Sequence, residues 1–284
     1  MIARADYEAL KEILRANSGH ALGEGKEYLV ERRLEPVAGS LGFLDIAGLV
    51  RHIRLTRDPK VVKIVCEAMT TNESLFFRDG RPFDLLKQSI LPDLVERRRT
   101  QRRLRVWSAA ASTGQEAYSL AMLMSEFPAL AGWTLEIVGT DYSPKVVERA
   151  RDGLYNHFEV QRGLPIQYLM KYFEQAENNS WRVKSPLRQM VTFREANLLE
   201  PFRHMGTFDI VFCRNVLIYF DEAGKRDVLE RLSGVIPEDG YLFLGASETA
   251  LGISERWNVV NGAGTTLFRR NPAELPGLQA RATA

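Results

Sequence analysis

Across residues 1–90 the apolar positions recur at helical spacing and nowhere alternate as a half-buried strand requires. Tyr7, Leu10 and Leu14 fall at i, i+3 and i+7, and Val30, Leu34, Val37 and Leu41 at i, i+4, i+7 and i+11. Gly42 reads as a C-terminal stop for the second helix, and Pro36 is expected to kink or divide it. Two further amphipathic stretches, 46–55 and 60–69, flank the turn signal Asp58-Pro59. The block predicts an all-helical N-terminal domain and linker over 1–90.

Past Leu104 the rhythm changes to strand, loop, helix. Apolar runs at 104–110, 135–140, 190–195, 208–213, 241–245 and 265–269 are interleaved with helical patterns at 116–127, 144–151 and 224–235. Strands alternating with helices predict an α/β layer architecture around a mostly parallel sheet. No strong helical pattern separates the last two runs, so 265–269 is expected to return antiparallel. Between 158 and 190 the alternation lapses: Gly163-Leu164-Pro165 gives way to a short helical patch, polar Glu177-Asn178-Asn179-Ser180 and then Trp181-Arg182-Val183-Lys184. This predicts an insertion carrying a small hairpin. The α/β domain thus covers 91–270, and 271–284, with Pro272, Pro276 and Gly277, reads as a flexible tail.

Composition narrows the function classes. The chain has 284 residues, 45% hydrophobic and 26% charged, with a net charge of +2 from 38 basic and 36 acidic side chains. That balance gives no whole-molecule grip on nucleic acid. Basic character is local, in Glu96-Arg97-Arg98-Arg99-Thr100-Gln101-Arg102-Arg103-Leu104-Arg105, whose ordinary reading is a solvated face at a helix end. A patch for an acidic partner is the alternative reading. Cys66 and Cys213 are far apart, as in a reduced thiol pair, and the histidines (His20, His52, His157, His204) are scattered, so no metal site is expected. No apolar run approaches the roughly 18 residues that span a bilayer. The N-terminus lacks the pattern of a signal peptide, and the expected location is the cytoplasm without membrane insertion.

Ligands of open α/β sheets bind beyond the carboxyl ends of the strands. The first strand runs into Ser108-Ala109-Ala110-Ala111-Ser112-Thr113-Gly114-Gln115-Glu116, whose small residues admit a ligand close to the backbone. It is neither G-x-G-x-x-G nor a P-loop. Asp141 ends the second strand, where a carboxylate can accept hydrogen bonds from ribose hydroxyls, or can cap the next helix as Ser143 can. Asn197 follows the third strand. Arg214-Asn215 follow the fourth and precede the apolar Val216-Leu217-Ile218-Tyr219-Phe220, a pocket wall or plain core.

Together these loops resemble the class I S-adenosylmethionine-dependent methyltransferases, and within them the CheR family of chemotaxis receptor methyltransferases. The resemblance rests on Thr70-Thr71-Asn72-Glu73-Ser74-Leu75-Phe76-Phe77-Arg78, on Trp107 to Ser119, on Gly139-Thr140-Asp141, on Asn197-Leu198 and on Phe208 to Phe220. It implies a doubly wound Rossmann-like sheet, a helical N-terminal domain and a small inserted β-subdomain. It further implies that Asn72, Ser74 and Arg78 meet the methionine end of the cofactor, Glu116 its ammonium, Asp141 its ribose and Asn197-Leu198 its adenine, with Arg214 and Asn215 completing the pocket. Ser74 stands where the family pattern has Thr, and Gln115 where it often has Glu.

The implied reaction is methyl transfer from S-adenosylmethionine to glutamate carboxylates on the cytoplasmic helical region of chemotaxis receptors, leaving S-adenosylhomocysteine. No general base is assigned; Tyr219 is a candidate for orienting the substrate. A non-catalytic S-adenosylmethionine-binding module and a methyltransferase for another protein are the alternatives. Lys26, Arg32 and Arg33 on the second helix, or the 97–105 run, are candidates to meet acidic receptor helices. The span from Phe173 to Phe193 is short for a loop that holds a receptor tether by β-augmentation, so a tether-independent, monomeric enzyme is expected.

Overall fold

The computed structural model describes residues 2–260 and 266–271. The expectations for the tail beyond Asn271 and for a strand start at Thr265 lie outside the described residues. Four helices open the chain: α1 (Arg4–Ser18), α2 (Glu27–Ser40), α3 (Ile46–Thr56) and α4 (Pro59–Met69). Local chemistry sets their starts, since the Asp45 carboxylate accepts from the Gly48 N–H at 2.7 Å and Asp58 from the Lys60 N–H at 2.9 Å. Their inward faces, including Tyr7, Leu10, Leu14, Val30, Leu34, Leu49 and Val65, make one separate core. Of the two outcomes expected of Pro36, division does not occur: α2 runs unbroken across it. Pro36 is exposed, so the Arg32 carbonyl deprived of its intrahelical partner can face water.

An irregular segment, 70–80, leads into α5 (Arg81–Leu85), a π-helical turn at Leu86–Ile90 and α6 (Leu91–Arg97). The Leu91 N–H reaches back to the Leu86 carbonyl, a wider loop than the α-helical one. Pro92 accounts for it: the ring brings no N–H and needs space at the preceding turn. Phe76, Phe83, Leu86 and Leu94 are buried in the core of the α/β body, apart from the helical core.

That body contains β1 (Arg103–Ala109), α7 (Gln115–Ser125), β2 (Thr134–Asp141), α8 (Pro144–Asp152), β3 (Leu154–Asn156), α9 (His157–Gln161), α10 (Ile166–Tyr172), β4 (Phe173–Ala176), β5 (Ser180–Val183) and α11 (Ser185–Gln189). It continues with β6 (Val191–Glu195), β7 (Ile210–Cys213), α12 (Glu222–Ser233), β8 (Tyr241–Leu244), β9 (Trp257–Val259) and β10 (Leu267–Arg270). The main sheet has seven strands in the order β6-β2-β1-β7-β8-β10-β9. Its strands pair in parallel except that β10 runs antiparallel to β8 and β9. This is the doubly wound, mostly parallel sheet that the resemblance implied. Alternation along β1 sends Leu104 and Val106 to one core and Trp107 and Ala109 to the other, so both faces are covered. The chain steps left from β1 to β2 and later returns to β7 on its right. The switch point therefore lies between β1 and β7, beside the loops that carry the candidate chemistry.

The expected hairpin is β4–β5, and a third strand, β3, pairs antiparallel with β5. β3 and β9, three residues each, carry too little pattern to be read from sequence. The arginine run is not a solvated face throughout. Arg98 bridges Asp209 at 2.8 Å and Asp239 at 2.7 Å, and Arg105 grips Glu136 at 2.8 Å while donating to the carbonyls of Met205 and Thr207. These two arginines bind the sheet's amino-terminal edge together; Arg99, in the turn after α6 and paired with Glu96 of that helix, remains exposed. Among the described residues no helix is long and apolar enough to cross a membrane, and no group of three His, Cys, Asp or Glu is placed to hold a metal ion.

Candidate active site

At the carboxyl end of the sheet lies a cleft that opens to solvent. Asn72, Ser74, Arg78, Glu116, Asp141, Asn197, Leu198, Arg214 and Asn215 all line it. Tyr219 lies on the same wall. The site thus gathers the loops after β1, β2, β6 and β7 with the 70–80 segment, although they are spread over most of the chain.

The turn after β1 is built from backbone that resists ordinary side chains. Ala110 and Ser112 hold φ values of 58° and 51°, in the left-handed region. Tertiary bonds hold Ser112 there: its N–H donates to Asp141 Oδ2 at 2.9 Å, and its hydroxyl donates to the Asn72 carbonyl at 2.9 Å. Asp141 also accepts from the Ser143 N–H at 3.1 Å, while Ser143 itself makes no side-chain cap. Only 8% exposed, Asp141 is pushed towards a higher pKa by burial, against which the N–H groups of Ser143 and Ser112 work. An ionised carboxylate has about four lone-pair sites, so Asp141 keeps acceptor capacity beyond these ties, and it lines the cleft.

Glu116, in the first turn of α7, accepts from the Ser108 hydroxyl at 2.7 Å and pairs with Arg214 at 3.0 Å. Arg214 also pairs with Asp79 at 2.7 Å and donates to the Arg78 carbonyl at 3.0 Å. Its side chain is 1% exposed, so this guanidinium is a buried clamp that fastens the 70–80 segment to β7 and α7. Arg214 thus holds two carboxylates, Asp79 and Glu116, at the edge of the cleft. Arg78 points its guanidinium to the Glu73 carbonyl at 3.2 Å, with no ion pair to Asp79. Asn197 accepts from the Leu199 N–H and donates to the Asn17 carbonyl at 2.7 Å, so its amide already joins the post-β6 loop to α1. Leu198 is buried beside it.

Sequence reasoning missed what the helical block brings. Ser18 and His20 line the cleft, as do Tyr142 and Ala196. Gly19, at φ 74°, ends α1 and leaves no room for a Cβ against the Phe220 ring. His20 lies 5.7 Å from Tyr219, ring to ring, and burial, then the charge of Arg33, pushes its pKa down. Arg33, expected to face a partner, instead donates to the carbonyls of Met69 at 2.6 Å and Thr70 at 2.9 Å and to the Thr71 hydroxyl at 3.0 Å. It fixes the entry of the 70–80 segment into the cleft. Lys26 and Arg32 remain exposed. For Ser18 and His20 no local motif gave a signal; Thr70, Thr71 and Glu73 stood inside the quoted block.

The family model described as CheR methyltransferase, SAM binding domain, matches residues 72–265, and that described as CheR methyltransferase, all-alpha domain, matches 5–70. The chain is 41% identical over 273 residues to chemotaxis protein methyltransferase 1 of Pseudomonas aeruginosa, covering 94% of this chain and 98% of that protein. It is 40% identical to chemotaxis protein methyltransferase Cher2 of Pseudomonas putida, covering 90% and 94%. With a chemotaxis protein methyltransferase of Vibrio parahaemolyticus the identity is 36%, covering 91% and 94%. Sheet order, cleft chemistry and matches over both parts of the chain lead to one assignment: the protein belongs to the CheR methyltransferase family, with S-adenosylmethionine as its cofactor.

Proposed function

We propose that this chain methylates glutamate side chains on the cytoplasmic helical region of chemotaxis receptors, acting as a cytoplasmic monomer without a receptor tether. The observation that carries the reading is the shared cleft: a helical block and a sheet end jointly wall a pocket whose acids match a cationic nucleoside. Asp141 is assigned to the ribose, Glu116 to the ammonium, Asn72, Ser74 and Arg78 to the methionine end, and Asn197 and Leu198 to the adenine. Arg214 acts through Glu116, which it holds in place, and Asn215 completes the wall.

When bound, S-adenosylmethionine supplies an electrophilic methyl group. A glutamate carboxylate, with an unperturbed pKa of about 4.3, arrives ionised, so no residue needs to remove a proton. The chain's work is orientation and exclusion of water. Holding the reacting groups in line can be worth about 7–11 kcal/mol. Leu198, Val216 and Phe220 supply apolar lining, where a partly desolvated carboxylate is a better nucleophile than a hydrated one. Half-buried Tyr219, beside His20, is assigned to orienting the incoming carboxylate.

The test uses the purified chain, tritium-labelled cofactor and receptor-containing membranes. Base-labile label on the receptor is expected. Equal labelling after every receptor glutamate is changed to alanine would overturn the receptor-glutamate assignment, and absence of label despite tight cofactor binding would make the chain a sensor.

A further inference from the structure

Glu248 stands just past β8, is 6% exposed, and forms no ion pair among the described residues. Its carboxylate instead collects backbone N–H groups. Oε2 accepts from Gly245 at 2.6 Å and Asn215 at 2.7 Å; Oε1 accepts from Val216 at 2.9 Å and Ile218 at 3.2 Å. Three of these donors belong to the loop after β7, which is the switch-point loop and a wall of the cleft. Asn215, the first of them, sits at φ 58°, a conformation that a non-glycine residue keeps only when its surroundings impose it. Gly245 makes the approach possible, since a Cβ there would lie 2.6 Å from Oε2 and 2.9 Å from the Asn215 nitrogen.

We propose that Glu248 is a positioning residue for the cofactor pocket: its buried carboxylate gathers these N–H groups and holds the post-β7 loop in the turn that presents Asn215, Val216 and Tyr219 to the cleft. It touches no ligand itself. A carboxylate suits the task because every direction it offers is an acceptor, whereas an amide of the same shape turns one end into a donor against other donors. Removing acceptor capacity from a buried N–H cluster leaves those groups unpaired, and the loop must shift to find partners. This deepens the reading of the cleft as the S-adenosylmethionine site and rests on it.

The test is Glu248→Gln in the full-length protein, with S-adenosylhomocysteine affinity and stoichiometry read by calorimetry beside KM for S-adenosylmethionine. The expected result is a folded protein, binding one ligand per chain, with Kd and KM each raised about tenfold. Glu248→Asp, which keeps two acceptors on a shorter arm, is expected to recover part of the loss. A merely structural role would lower the binding-competent fraction and the melting temperature while leaving Kd and KM of the folded molecules unchanged; that result overturns the proposal. If Glu248→Gln yields no folded protein, Gly245→Ala presses on the same oxygen, and wild-type affinity in that variant equally overturns it. Failure of the wild-type chain to bind S-adenosylhomocysteine would count against the pocket assignment, distinguishing that failure from this one.

Discussion

The cleft has two walls of different origin. The sheet wall is made of strand ends: once β1, β2, β6 and β7 lie side by side in parallel, Glu116, Asp141, Leu198 and Asn215 must converge. The helical wall has no such guarantee. Ser18, His20 and the 70–80 segment reach the cleft through particular tertiary bonds, among them Arg33 on the carbonyls of Met69 and Thr70 and Asn197 on that of Asn17. The difference teaches that topology alone places one half of a binding site, while the other half depends on a few polar fasteners. Fasteners are easier to remove without unfolding the protein.

Substitutions on each wall can break or sharpen that comparison. Arg214→Ala, at the joint of the two walls, should have the largest effect, since it strands the largely shielded Glu116 carboxylate, 13% exposed, and releases Asp79. Denaturant unfolding is expected to show a loss of about 3 kcal/mol, the low end for breaking a buried pair because Asp79 is partly solvated. A loss below the scatter of such measurements would mean that the joint carries no load.

Next, on the sheet wall, Asp141→Ala should weaken S-adenosylhomocysteine binding about a hundredfold by calorimetry, because the acceptor proposed for the sugar and the tie to Ser112 go together. On the helical wall, Arg33→Ala should cost about fivefold in the same affinity, with little change in secondary structure by circular dichroism. If Arg33→Ala costs more than Asp141→Ala, the ranking of the walls is reversed.

The smallest effect lies away from the cleft. Hydrogen bonds from Arg105, then Arg103, hold the Glu136 pKa down to about 2, against some opposition from burial. A carboxylate depressed in the folded state stabilises the fold above its unfolded pKa and loses that contribution as pH falls through its folded value. Thermal melts should therefore decline between pH 4.5 and 2, and decline less steeply in Glu136→Gln.

Much of the α/β body was legible because its strands are apolar runs closed by polar strand ends, as Asp141 and Arg214-Asn215 illustrate. The family motifs then brought Asn72, Ser74 and Arg78 to the same place. Other features were hidden for definite reasons. Pro36 looked like a break because sequence does not say which face of the helix it occupies. Arg33 and Arg98 looked like free charges because their partners are distant in sequence: carbonyls in one case, Asp209 and Asp239 in the other. Glu248 gave no signal at all, since an acid that gathers backbone N–H groups belongs to no spacing rule.

The segment from Thr70 to Gly80 is both connector and wall, since it joins the helical block to the sheet and supplies Asn72, Ser74 and Arg78 to the cleft. Modularity is thereby limited. A graft that exchanged the helical block between relatives with its seam at Met69 would keep the recipient's connector yet lose the native grip of residue 33 upon it. A seam at Gly80 would keep that grip and import a foreign partner for Arg214. Either hybrid inherits one mismatched interface, so the two parts of this chain are expected to have been selected as a unit.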